Sequence, residues 1–259
     1  MKLYQKDFIK ASYAIQLNAK WNLNTTLEFR SRSSLANTEE NGFFNKKRQF
    51  ESNGLPFETS RQAYGSISFR YQPFASWRRF NGARRLSNEI GPTFIGSLEQ
   101  ALGDNSYSRV SLQVTQSISL ANWGSLNYRI SAAQFLKKPS LILDYQHFKG
   151  NEVNVVSGDY SFLALPYFAL SNPGGHVKAF ITWEPRKFLL TQNPYLSLYG
   201  LKEKVGYSYL QTSVNSQTVH YQEFTYGLSG IGKILGIDLV YPMGIVVPEK
   251  WKVLVRLPF

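Results

Sequence analysis

Apolar and polar residues alternate with a period of two along most of this chain. In "YSRVSLQVTQSISLANWGSLNYRISAA", Val110, Leu112, Val114, Ile118 and Leu120 fall on one side, and Arg109, Ser111, Gln113, Thr115, Ser117 and Ser119 on the other. After Asn122–Trp123–Gly124, Leu126, Tyr128, Ile130 and Ala132 alternate with Ser125, Asn127, Arg129 and Ser131. Successive side chains of a strand point to opposite faces, so this stretch reads as a β-hairpin whose two faces meet different surroundings. The start of the chain repeats the pattern. Ala11, Tyr13, Ile15, Leu17, Ala19 and Trp21 oppose Lys10, Ser12, Gln16, Asn18 and Lys20, and Leu27 and Phe29 oppose Glu28 and Arg30. Further strands are predicted at about 62–73, 92–100, 159–170, 175–184, 196–213, 219–229 and 236–242, each ending near turn residues. With a closing strand at the C-terminus the total is about twelve.

A 3.6-residue apolar period is almost absent, and no apolar run approaches the roughly 18 to 20 residues of a membrane helix. Several predicted strands reach about ten residues, the length that crosses a bilayer at a tilt. The fold expected is all-β: an antiparallel transmembrane β-barrel of about twelve strands, as one domain over residues 1–259 or as the C-terminal part of a larger barrel. A soluble β-sandwich binding module is the alternative that alternation leaves open. "MKLYQKDFIK" carries no apolar core or cleavage site of a secretion signal, so an exported chain is expected to begin upstream of it.

Charge sharpens the picture. The formal net charge is +12, which favours anionic partners, and the absence of cysteine excludes disulfides and thiolate metal sites. The polar faces carry Arg30, Arg70, Arg109, Arg129, Lys178, Lys204, Lys252 and Arg256 against few acids, among them Glu28, Glu223 and Asp238. These are read as a basic, hydrated lumen suited to anionic solutes or lipid head groups. Trp21, Trp123, Trp183, Tyr241 and Trp251 sit near strand ends, where amphipathic rings lie at a membrane interface. The basic charge is spread strand by strand rather than clustered with stacking aromatics, so nucleic acid is not an expected partner. The long polar connections, about 36–61, 74–91 and 137–158, are placed outside the barrel wall. Counting hairpins back from a periplasmic C-terminus puts 36–61 and 137–158 on the periplasmic side, against the usual short turns there. Either a strand is missed, as in "LILDYQHF", or the barrel breaks the habit.

The chain ends on "KWKVLVRLPF". Trp251, Val253, Val255, Leu257 and Phe259 share one face, opposite Lys250, Lys252, Leu254, Arg256 and Pro258. This resembles the C-terminal signal by which outer-membrane barrels are presented to their insertion machinery.

Sequence motifs for catalysis are weak. Gly227, Gly232 and Lys233 mimic a phosphate-binding loop, but Ile234 stands where Ser or Thr is required, so the segment reads as a Gly-rich turn with a short helical stretch. His147, His176 and His220 lack zinc spacing, and HExxH and GxSxG do not occur. Glu223 and Asp238 read as a charge ladder with Lys204, Lys252 and Arg256 rather than as a catalytic pair. No catalytic, cofactor or metal residue is assigned. The alternative is a lipid-modifying barrel enzyme, for which His176 is the residue to test.

From about residue 87 onward the chain resembles a family of Bacteroidota outer-membrane proteins of unknown function, which carry a carboxypeptidase-regulatory-like domain before a C-terminal barrel. These barrels are distantly similar to surface-antigen assembly factors. The resemblance rests on "SRVSLQVTQSISLANWGSLNYRISAAQF", "HFKGNE", "VKAFITWEPRKFLLTQNPYLSLYGLKEKVGYSYL" and "EFTYGLSGIGKILGIDLVYPM". The chain departs from it in having "ITWEP" where a paired His is usual, and in lacking the preceding soluble domain. The resemblance implies the outer membrane, with its lipid and lipopolysaccharide and the barrel-insertion machinery as partners. It implies no mechanism; the function expected from the strand pattern and the basic inner face is porin-like passage, insertion or anchoring rather than catalysis.

Overall fold

The computed structural model describes residues 4–34, 41–42, 45–49, 57–87, 91–151, 155–156, 160–214, 217–232, 235–244 and 250–256. Its centre is a single sheet of twelve strands, eleven of which form consecutive antiparallel pairs. These are β1 (Tyr4–Gln16), β2 (Trp21–Ser34), β3 (Ser60–Tyr71), β4 (Thr93–Gly103), β5 (Tyr107–Ser119) and β6 (Ser125–Lys137). They continue as β7 (His176–Glu184), β8 (Lys202–Val214), β9 (Gln217–Ile231), β10 (Leu235–Gly244) and β11 (Lys252–Arg256). The twelfth strand is only Val155–Val156, lying parallel to the outer edge of β11. β1 and β11 are not hydrogen-bonded to each other, so the sheet is open at this seam.

Alternation in the sequence becomes inversion of polarity in space. Register aligns Leu27 with Ala11, Leu98 with Ile67, Leu112 with Gly96, Ile130 with Val114, and Leu239 with Val253. These side chains share the outer face. Ile9 is 78% exposed there, Phe29 66%, Leu112 51% and Val253 56%, whereas Arg32 is 2% exposed, Glu223 0% and Asp238 1% on the inner face. A water-soluble sheet places its apolar face inward, so this one is inside out. The charged outward positions of the strands, Asp7, Arg61, Lys137 and Glu203, all lie near strand ends.

Three sequence expectations are corrected. Residues 160–170 form no strand where one was expected over 159–170; residue 159 lies outside the described residues. Ser161, Phe162, Leu163, Ala164 and Leu165 are buried one after another, without alternation. Tyr160 and Phe168 have φ of 60° and 63°, a left-handed conformation foreign to a strand. The 196–213 strand starts only at Lys202. Before it, the Asn193 side chain caps a short helix, α1 (Pro194–Leu198), accepting from the Tyr195 N–H at 3.0 Å, with proline at the helix start. Lastly, the 137–158 connection does not lie wholly outside the wall: Asp144, Phe148 and Asn151 are buried against the inner face, and Val155–Val156 join the sheet at the β11 edge.

Removing the false strand changes which end of the sheet each earlier connection occupies. With eleven alternating strands, the β2–β3 and β6–β7 connections lie at the end opposite to where β11 finishes. The 74–91 connection lies at the β11-finishing end and carries its own hairpin, Ser76–Phe80 with Ala83–Ser87. Within 36–61, the described residues include the pairing of Asn41–Gly42 with Asn45–Gln49.

Candidate functional site: the filled inner face of the sheet

The β6–β7 connection turns back into the concave side of the sheet, and the wall's inward polar residues grip it. Asn105, in the β4–β5 turn, starts the entry: its Oδ1 accepts from the N–H of Ser140 at 2.8 Å and of Leu141 at 3.2 Å. Four residues on, Asp144 is 8% exposed and collects donors from two strands, β2 and β3, and a turn. Arg32 gives it two bonds, Nη1 to Oδ1 at 2.9 Å and Nη2 to Oδ2 at 2.7 Å, and Arg30 adds Nη2 to Oδ1 at 3.2 Å. Gln62 and Asn105 also donate to it, and the Gln62 Oε1 accepts from both Arg30 and Arg32 at 2.9 Å. The bonds from the two arginines are charge-assisted, the stronger kind of hydrogen bond.

Beyond Asp144 the connection folds on itself. Gln146 and Asn172 form a β-bridge, the Phe162 N–H donates to Lys149 O at 2.9 Å, and the Asn151 N–H donates to Leu165 O at 2.8 Å. The two limbs meet at Gly150, where a Cβ would run into the carbonyl oxygen of Leu165. His147 Nδ1 and Ser171 Oγ, 2.8 Å apart, add a side-chain tie between the limbs. The resulting plug presents Phe148, Phe162, Leu165 and Leu170 to Phe180, Leu210 and Tyr221 of the wall, while Leu163 and Ala164 meet Val240 and Leu254.

Backbone polar groups of the plug need partners, and the wall supplies charged ones. Glu223 accepts from the N–H of Leu163 and of Ala164, each at 2.8 Å, and from the Tyr221 hydroxyl at 2.6 Å. Lys252 donates to Asn151 O at 3.2 Å and to Leu163 O at 3.4 Å. Arg129 lies 3.7 Å from the Tyr160 ring centroid, and Arg109 donates to Gln146 Oε1 at 2.8 Å.

The basic residues predicted for the lumen are therefore on the inner face, in several roles. Arg30, Arg109, Arg129 and Lys252 touch the plug. Lys204 and Arg256 converge on Asp238, at 3.3 and 2.8 Å. They border a polar cavity of about 230 Å³ with Asn127, Thr182, Glu184, Ser208 and Thr225. Lys178 lies beside Arg129 and Arg109. Arg70 is exposed near the end of β3, apart from the plug. The plug anchors Arg32, Gln62, Asn105 and Asp144 were missed in the sequence. Arg32 has the same parity as Arg30, and Asp144 is an acid inside the apolar "LILDYQHF"; these are the signals that point to them.

On the outer face, Trp21 stacks on Tyr71 at 4.3 Å, and the Trp183 indole donates to Trp123 O at 2.9 Å, both at the β11-finishing end. Tyr241 and Trp251, 5.1 Å apart, lie towards the other. Trp251, Val253 and Val255 point outward as expected; Leu257 and Phe259 lie outside the described residues. Glu203 faces outward yet is 1% exposed, because the N–H groups of Leu189, Leu190 and Thr191 fold over it. His176, the residue to test for the enzyme alternative, points inward against Phe148. Of the Gly-rich segment, the residues up to Ile231 belong to β9 and Gly232 begins the turn before β10, with φ of 85° at Gly230 and 59° at Gly232; none of its described residues is helical. Lys233 and Ile234 lie outside the described residues.

Fold and site together define a class: a curled antiparallel sheet, apolar outside and charged within, wrapped on an inserted connection of its own chain. The chain belongs to the family of unknown function DUF5686, whose C-terminal-domain model matches residues 1–228. The match begins well before residue 87, where the sequence resemblance was drawn, and ends within β9. No curated protein matches the chain.

Proposed function

We propose that this chain forms the wall of a membrane-embedded β-barrel of the bacterial outer membrane, with residues 138–175 as an internal plug. Its role is passage controlled by the plug, or anchoring, without bond chemistry. The observation that carries this reading is the polarity inversion. Exposed Ile9, Leu27, Phe29, Leu112 and Val253 cover the outside, and buried Arg32, Asp144, Glu223 and Asp238 fill the inside. In water that arrangement leaves a large apolar surface uncovered, whereas in a bilayer both faces are satisfied. Tryptophan and tyrosine near both ends of the wall fit head-group depth. A plug gripped by Arg32 through Asp144 and by Glu223 fills the space that a wide aqueous pore would need.

The test is extraction and electrophoresis of the full chain. A membrane barrel requires detergent to remain monodisperse and migrates differently boiled and unboiled. A chain that is monodisperse in plain buffer, with one gel position, defeats the proposal.

A further inference from the structure

We infer that the lumen contains a binding site for an oxyanion of the phosphate class, built by Arg109, Arg129, Ser131, His176 and Lys178 on β5, β6 and β7. The site deepens the proposed function by naming what the lumen takes. It rests on the plug closing the lumen and not on the surrounding bilayer.

Register puts these residues on one inward patch. Ser131 is paired with Lys178 and Ala133 with His176, while Arg129 is two residues from Ser131 on the same face. Arg109 lies across from Phe135 on the neighbouring strand. Lys178 is within electrostatic reach of both Arg129 and Arg109, and His176 within reach of Lys178 and Arg109.

The patch has donors without acceptors. Arg109 Nε, Arg129 Nε, Ser131 Oγ and His176 Nδ1 are each shielded from solvent and have no hydrogen-bond partner. Ser131 is 8% exposed and His176 7%. Lys178 makes no hydrogen bond or ion pair among the described residues. The acid seated at the patch is Glu99, which is bound to Arg109 at 2.5 Å. Buried polar groups are ordinarily satisfied, and adjacent buried cations are ordinarily compensated. Here several of these groups lie unsatisfied on three adjacent strands, and each of them can donate.

The ligand that answers this pattern carries negative charge and several lone pairs on one small centre. A tetrahedral oxyanion does so and accepts the forked N–H groups of arginine, whereas chloride offers no directed acceptors. The plug sits over the patch, with Phe148 5.1 Å from the His176 ring and Tyr160 on Arg129. The anion is therefore enclosed once bound and enters when the plug loosens.

The probe is inorganic phosphate, titrated against chloride at constant ionic strength, with the thermal midpoint of the folded full chain as readout. Phosphate is expected to raise the midpoint of the native chain beyond chloride. Lys178→Met is expected to raise the midpoint without phosphate, by removing like-charge repulsion, and to weaken phosphate binding roughly tenfold or more. That pairing of opposite signs separates a binding residue from a structural one. Arg129→Gln, also within the patch, serves if Lys178→Met does not fold; Arg70→Gln, outside it, is expected to leave the response unchanged. Phosphorus released on denaturation and recovered in the organic phase identifies a lipid head group, and in the aqueous phase a free anion; either supports the site. Equal responses to phosphate and chloride, or an undiminished phosphate response in the patch variants, overturn it. The experiment runs in detergent or in plain buffer, so its outcome is separate from that of the membrane proposal.

Discussion

Arg32 of β2 and Asp144 of the plug are joined by two parallel hydrogen bonds, 2.9 and 2.7 Å long, across 112 positions of sequence. Both side chains are almost completely buried, at 2% and 3% exposure. Breaking such a pair by removing one charge leaves the other uncompensated, at a cost of about 3–5 kcal/mol. In Asp144→Asn the shape is kept, but Arg30 and Arg32 lose their shared counter-ion. The plug of this variant is expected to undock while the wall stays folded. Limited proteolysis should then cut within 138–175 first, and planar-bilayer conductance should rise. Native-like protease resistance with unchanged conductance would show that the pair does not fasten the plug.

His147 provides a pH dependence for the same element. Burial holds its pKa below the ordinary value of 6.5, although backbone groups at Ile142 and Leu143 and the charge of Asp144 act the other way. Between the lowered folded value and the unfolded value the unfolded chain binds more protons, so plug stability falls as pH falls through about 6.5. Protease sensitivity of the plug is expected to increase from pH 8 to pH 5, and His147→Gln is expected to flatten that increase. A profile identical in the variant would assign the effect to another group.

How much of this was legible beforehand differs by element. The hairpin β5–β6 was readable because one of its faces is apolar and the other polar, a rule that β5 follows from Arg109 to Ser119 except at Gln116 and β6 from Ser125 to Ala132. The plug was not, because Phe162, Leu163 and Leu165 are buried between limb and wall, and an apolar run enclosed on all sides carries no period. Lumen cations could be named from parity alone. Their partners could not: Arg129 meets Tyr160, and Lys252 meets carbonyl oxygens of Asn151 and Leu163, contacts set by how the plug crosses the sheet. The missing closure was hidden for a similar reason, since parity gives each strand two faces but says nothing about its edges.

The outer face can be tested one side chain at a time. Leu112 is 51% exposed at the middle of β5, flanked across the sheet by Gly96 and Ala132. If it meets hydrocarbon, Leu112→Arg should lower the folding free energy in lipid by about 2–4 kcal/mol, with a smaller loss for the same change at Leu102 near a strand end. If it meets water, both changes fall within roughly 0.5 kcal/mol of the native chain. Equilibrium unfolding from lipid vesicles gives the comparison, and a depth-dependent penalty is the expected result.

The seam makes the last prediction. Eleven alternating strands leave β1 and β11 running in the same direction, so direct pairing between them would be parallel, whereas one interposed strand would be antiparallel to both. Val155–Val156 already lies along the β11 edge. The edge of β1, thirteen residues long, faces no strand among the described residues. Hydrocarbon does not tolerate such a row of unpaired N–H and C=O groups, and in water it would invite association with another edge. In the membrane-embedded chain the β1 amides that point away from β2 are therefore expected to exchange with deuterium as slowly as those of β5. Exchange at the rate of an exposed edge would show that the sheet is open in its native setting, and that its apolar face is covered by something other than lipid.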